Sequence, residues 1–186
     1  FLLSKLAFQE NSIIANFYTK KHGKCSGIIY GATSKKIKNY LEKGNELHLV
    51  YNSKNENSLG YFKVEIINPY TSKFFSDKTK LNCIVSTLEL VKILTVEGQE
   101  NIKIYKLIDE LFILLNKENW SYEYVFLELK LLKFIGFDLN IKDYCKHEIA
   151  DNYKRYYIEN SQKKMIVPNF LIEEHRADKI SNKDIY

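Results

Sequence analysis

The sequence predicts an α+β protein in which a small five-stranded barrel comes first and an all-α helical domain with a small C-terminal cap follows. Three observations carry that expectation. Apolar residues alternate strand-fashion in short runs as far as Ile67, and the spacing turns helical after Pro69. Clusters of Gly, Asn and Lys punctuate both regimes.

The strands follow in order. Phe1 to Phe8 is an apolar run, and Ile13 to Thr19 is β-branched and aromatic. Lys24 to Tyr30 follows a turn at Lys21-His22-Gly23. Glu46 to Tyr51 sets Leu47, Leu49 and Tyr51 on one face. Leu59 to Ile67 sets Phe62, Val64 and Ile66 opposite Lys63 and Glu65. Glu10-Asn11, residues 31 to 38, Lys43-Gly44-Asn45 and residues 52 to 57 supply the turn chemistry between them. A curled five-stranded sheet of about seventy residues is the size of an OB-fold, whose open face and loops commonly bind single strands.

Beyond Pro69, Leu81, Ile84, Leu88 and Val91 form one helical stripe. Ile104, Leu107, Ile108, Leu111 and Leu115 form a second, and Leu127, Leu131 and Phe134 a third. Glu97-Gly98 and residues 116 to 120 separate them, and Gly136 suits the left-handed residue that closes the third. The expected domains are therefore 1–72, an OB-fold nucleic-acid-binding domain, and 73–186, helical with a C-terminal hairpin or irregular cap. Tyr156 to Ile158 and Met165 to Val167 are the candidate hairpin strands.

Charge divides the chain unevenly. Its net charge is +5, yet residues 1 to 80 carry thirteen Lys against six acids, while the remainder carries fifteen bases against seventeen. No acid stands between Glu10 and Glu42, where Lys20, Lys21, Lys24, Lys35, Lys36 and Lys38 fall. Charge of one sign repels itself unless a polyanion balances it, so these six are the candidate nucleic-acid-binding residues. Phe17, Tyr18, Tyr30, Tyr51, Tyr61 and Tyr70 interleave with the lysines and offer rings that could stack on unpaired bases. The alternative stays open: the lysines form an ordinary solvated face on a non-enzymatic module that binds protein or RNA. Arginine, present only as Arg155 and Arg176, is too scarce to favour guanine readout.

Catalytic patterns are missing from the sequence: it has no nucleophile elbow, phosphate loop, dinucleotide fingerprint or zincin helix. His22, His48, His147 and His175 are scattered. Cys145 and His147 supply two ligands where a tetrahedral zinc site needs four. The adjacent pairs Asp109-Glu110 and Glu173-Glu174 point apart on a helix and cannot share a metal. The expectation is a protein that is not an enzyme, with no metal and no cofactor. Cys25, Cys83 and Cys145 form no disulfide framework, which fits a reducing cytoplasm, and a DNA partner would make that location nucleoid-associated. The apolar runs fall short of the roughly 20 residues of a bilayer span, so no membrane is expected. The opening on Phe1, without a methionine, reads as a fragment.

The ordered set of features is similar to one family. Glu10-Asn11-Ser12-Ile13-Ile14 runs into Phe17-Tyr18-Thr19-Lys20-Lys21-His22-Gly23-Lys24, followed by Gly27-Ile28-Ile29-Tyr30-Gly31-Ala32 and Ser34-Lys35-Lys36. Then come Leu41-Glu42-Lys43-Gly44-Asn45, Leu59-Gly60-Tyr61, the run Phe126-Leu127-Glu128-Leu129-Lys130-Leu131-Leu132 and Ile135-Gly136-Phe137-Asp138-Leu139. Across most of residues 8 to 147 the chain resembles the RecO family of bacterial recombination-mediator and DNA-repair proteins. The resemblance implies an N-terminal OB-fold, binding of single- and double-stranded DNA, and annealing of complementary strands. It also implies RecR as a partner, docking on the C-terminal tail of single-strand-binding protein, and recombinase loading. DNA binding would fall to the same six lysines, and tail docking to Lys130, Leu131 and Lys133. Many members carry a four-cysteine zinc ribbon after the third helix. Only Cys145 stands here, so the chain resembles the zinc-free branch, with a cap that must rely on packing. Members also continue into a further helix, so the polar end at Tyr186 reads as a C-terminal truncation.

Overall fold

A computed structural model describes residues 1–53, 59–137, 139–150, 153–160 and 163–172. It divides into two compact units, Phe1–Lys117 and Glu118–Tyr186.

The first unit contains strands β1 (Leu2–Gln9), β2 (Ser12–Thr19), β3 (Gly23–Tyr30), β4 (Glu46–Asn52) and β5 (Tyr61–Asn68). They form one sheet in the order β1-β2-β3-β5-β4. Every pairing is antiparallel except β3 with β5, where Ile28 lies opposite Tyr61. The chain entering β4 returns to β1: Leu2 N donates to Asn45 O at 3.1 Å, and Gly44 N donates to Leu2 O at 2.8 Å. Five strands curled and closed in this order are an OB-fold barrel.

Alternation explains the barrel interior. Leu2, Ala15, Phe17, Ile29, Leu47 and Phe62 point inward from the strands, joined by Ala32 and Leu41 from the β3–β4 connection. The Phe17 and Phe62 rings meet nearly edge-on at 5.3 Å. Each large side chain buried this way contributes about 1.5–3 kcal/mol. The residues expected to form a plain turn between β3 and β4 include a one-turn helix, α1 (Lys35–Lys38), capped by the Ser34 hydroxyl, which accepts from Ile37 N. Its Ile37 packs on the barrel core.

The opposite face of β1 and β2 is buried at one end, around Phe1 and Tyr18. Phe1 and Tyr18 point away from the barrel interior, yet they are 3% and 0% exposed. Helices α2 (Lys78–Leu94) and α3 (Ile102–Leu114) belong to this unit, and α2 packs on β1. The Phe1 ring lies 4.9 Å from that of Tyr105 and 6.1 Å from that of Phe112, and Tyr18 donates its hydroxyl to Asn101 O. Asp77 and Asn101 cap the two helices by accepting first-turn N–H groups, which satisfies donors that no helical carbonyl can reach. In the predicted stripes, Ile84, Leu88, Val91 and Ile104, Leu107, Ile108, Leu111, Leu115 are buried, and Leu81 is half-buried. The strands of the first unit end at Asn68, and its compact packing continues through α3 to Lys117.

The second unit begins with α4 (Trp120–Phe134), which buries Leu127 and Leu131. It closes at Gly136, where Phe137 N donates to Leu132 O at 2.9 Å. After the single turn α5 (Ile141–Tyr144) come β6 (Lys146–Ala150), β7 (Tyr153–Asn160) and β8 (Lys163–Val167), an antiparallel sheet in sequence order. The expected hairpin strands are β7 and β8. The third strand, β6, lies in a stretch too polar to read as one. Ion pairs Lys146–Glu159 at 2.9 Å and Lys164–Glu148 at 2.6 Å cross this sheet, and Lys164 Nζ sits 3.9 Å from the Tyr157 ring centroid. Phe170, 8% exposed, packs against the rings of Tyr122 and Phe126. Asp138, the pair Glu173-Glu174, His175, Arg176 and most of the 52–57 turn lie outside the described residues.

One corner ties the first unit together. Asn45, 2% exposed, donates from its side-chain amide to Tyr40 O and accepts from Thr71 N on its Oδ1. The Thr71 hydroxyl in turn donates to Lys43 O. Gly44 has φ of +86°, and a Cβ there would stand 2.8 Å from Thr71 Oγ1 and 2.9 Å from Phe112 Cζ. Asn45→Ala strands Thr71 N and Tyr40 O inside the unit, so it should lower stability by about 2 kcal/mol in urea unfolding. Gly44→Ala should cost at least as much, through both backbone strain and the clash.

Candidate nucleic-acid interface

Lys20 and Lys21 sit exposed at the tip of the β2–β3 hairpin with His22. Thr19 shapes that tip: its hydroxyl accepts from His22 N and donates to Gly23 O, each at 3.1 Å. Lys35, Lys36 and Lys38 are exposed on α1, because the same turn points Ile37 into the barrel. None of these five ammonium groups has an ion-pair partner among the described residues.

Lys24 is different. Its ammonium donates to Lys92 O at 2.9 Å and Thr95 O at 2.5 Å, the carbonyls that end α2. Its own carbonyl accepts from Gly98 N at 2.8 Å. A cation at the negative end of a helix satisfies carbonyls that have no helical donor. The geometry therefore makes Lys24 a cap for α2, occupied within the unit, and not an ammonium standing open to a phosphate. Lys43 is similarly engaged, 2.6 Å from Glu89, whose carboxyl is held below its ordinary pKa chiefly by that hydrogen bond.

The remaining five lysines form two groups and not one patch. Strand β3 separates them, with Lys20 and Lys21 before its first residue and α1 beyond its last. Eight residues of strand set the groups about 23 Å apart. The α1 group lies at the Tyr30 end, since a Cβ on Gly31 would be 3.8 Å from Ile37 Cδ1.

The interleaved aromatics sort by burial. Phe17 is inside the barrel and Tyr18 under the helices, both 0% exposed. Tyr70 stacks on Phe112 at 4.5 Å and donates its hydroxyl to Asp109. Tyr51 lies over Gly60 and against Phe62. Tyr30 is 54% exposed, with Tyr61 beside it. Lys63, absent from the candidate set, is exposed on the outward face of β5 with Tyr61. Strand alternation already set it opposite the core residues, so the signal was in the sequence.

In the second unit, Lys130 and Lys133 are exposed on α4, and Lys130 Nζ lies 5.8 Å from the Phe134 ring centroid. Leu131, the third residue assigned to tail docking, is 0% exposed, so its side chain belongs to the core. Cys145 is half-buried, and burial pushes its thiol pKa up. Among the described residues no three His, Cys, Asp or Glu side chains gather as a metal site, and no helix is long and apolar enough to cross a membrane.

Comparison with known proteins matches both parts of the chain. Residues 1–70 fit the family model "Recombination protein O N terminal", and residues 76–169 fit "Recombination protein O C terminal". DNA repair protein RecO of Rickettsia canadensis is 26% identical over 98% of this chain and 80% of its own length. Its counterpart in Rickettsia rickettsii is 31% identical over 75% of this chain and 59% of its own length. The fold and these matches define the class, DNA-repair proteins built from an OB barrel and a helical region. The chain belongs to the RecO family.

Lys24→Met should lower stability by about 1 kcal/mol, because α2 loses its terminal cap, and should leave the salt dependence of DNA binding unchanged. Thermal unfolding and anisotropy titrations at several salt concentrations check the two halves of this expectation.

Proposed function

We propose that this chain is a non-enzymatic DNA-repair mediator that binds single- and double-stranded DNA through Lys20, Lys21, Lys35, Lys36 and Lys38. The observation that supports this reading is their state: five exposed ammonium groups, none in an ion pair among the described residues, in a segment without acids. Lysines that neutralise phosphates release condensed counterions and give affinity without reading sequence. Two groups about 23 Å apart span about seven phosphates along a B-form strand.

Annealing needs no nucleophile. Neutralised backbones repel each other less, and contacts confined to phosphates leave base edges free to pair. In the cell, the same surface would bring complementary strands together and help load recombinase on strands coated by single-strand-binding protein, with RecR as partner, in the cytoplasm at the nucleoid. An acidic tail peptide from single-strand-binding protein would meet Lys130 and Lys133 by charge.

Fluorescence anisotropy with labelled single-stranded DNA tests the reading. Log affinity should fall by about 0.7 per neutralised phosphate for each unit of log salt. Lys20→Glu/Lys21→Glu and Lys35→Glu/Lys36→Glu should each weaken binding and flatten that slope by about 1.4 or more. Unchanged affinity and slope in both folded variants would show that the lysines serve another partner or only solubility.

A further inference from the structure

At the α1 end of β3 the barrel carries an aromatic pair that the fold does not use. Tyr30 is the last residue of β3 and Tyr61 the first of β5, neighbours through the parallel pairing of Ile28 with Tyr61. The flanking residues Ile29 and Phe62 are 1% and 5% exposed inside the barrel, so alternation turns both tyrosines outward. Their ring centroids are 5.7 Å apart at 58°, with Tyr61 half-buried and Tyr30 54% exposed. Tyr61 thus braces the side of Tyr30 and leaves much of its ring in solvent.

A single exposed aromatic needs no explanation. This one is set among cations. Lys63 stands two residues from Tyr61 on the same outward face, and α1 with Lys35, Lys36 and Lys38 folds against Gly31, the residue next to Tyr30. An aromatic face flanked by ammonium groups suits an unpaired nucleotide, with its base on the ring and its phosphates on the lysines. A base inside a duplex is already stacked on both sides and gains nothing there.

We infer that Tyr30, braced by Tyr61, is a stacking platform for an unpaired base. It would give this end of the barrel a preference for single strands that the lysines alone lack. The inference rests on the DNA-binding reading and deepens it. Tyr30 is the contact residue and Tyr61 positions it.

Anisotropy of the full chain with three probes tests it: labelled oligo-thymidylate, an abasic strand of the same length, and a duplex. The wild type should bind oligo-thymidylate about five-fold or more tighter than the abasic strand. Tyr30→Leu, which keeps apolar cover over Tyr61, should erase that difference and leave abasic and duplex binding unchanged. Tyr30→Phe should retain it. If the wild type binds both strands equally with salt sensitivity intact, or if Tyr30→Leu keeps the base preference, the platform is wrong and the lysine reading stands. If the wild type binds none of the probes at low salt, both fall.

Discussion

Everything in the first unit depends on how the chain turns at Lys43-Gly44-Asn45. Closing a five-stranded barrel requires β1 to meet the start of β4, and that meeting occurs through Leu2, Gly44 and Asn45. The same asparagine side chain holds Tyr40 on one side and Thr71 on the other, so closure is tied to the end of the α1 connection and to the approach to α2. A buried amide with its bonds made stabilises one arrangement over its neighbours, because any slip leaves donors and acceptors unpaired away from water. Gly44 is the residue that lets Phe112 of α3 close over this corner.

That constraint bears on where the candidate interface lies. With the corner fixed, β1 and β2 are buried on both faces near Phe1 and Tyr18, and the helices occupy that side of the barrel. At the two ends of β3 the hairpin tip and α1 carry lysines into solvent. Lys24 belongs to the same strand and the same acid-free window but points at the end of α2, where helix carbonyls need a cation. Only His22 and Gly23 separate Lys21 from Lys24, and the difference in their surroundings follows from where α2 ends.

Much of this was legible in the sequence. Short apolar and β-branched runs between turn residues located all five barrel strands, and period-two alternation set Phe62, Val64 and Ile66 inward. Helical spacing located the buried stripes of α2 and α3. What it missed has physical causes. A one-turn helix such as α1 is too short to show a period, and β6 is exposed along its described length, so no apolar alternation marks it. Tyr18 alternates outward and would count as exposed, except that α3 begins against it. Lys24 meets Lys92 and Thr95 across 68 and 71 residues of sequence, a partnership that no local pattern encodes. The family resemblance assigned Leu131 to docking, while its helical stripe with Leu127 sends it inward. The same limit applies to charge counting, which finds ammonium groups but not what they already touch.

The most direct test of the account is lysine footprinting. The full chain would be acetylated briefly with and without saturating single-stranded DNA, and each lysine read by mass spectrometry. DNA should protect Lys20, Lys21, Lys35, Lys36 and Lys38. Lys24 and Lys43, held by Lys92 O, Thr95 O and Glu89, should react slowly in both states. Protection spread evenly over all lysines, or absent from both ends of β3, would contradict it.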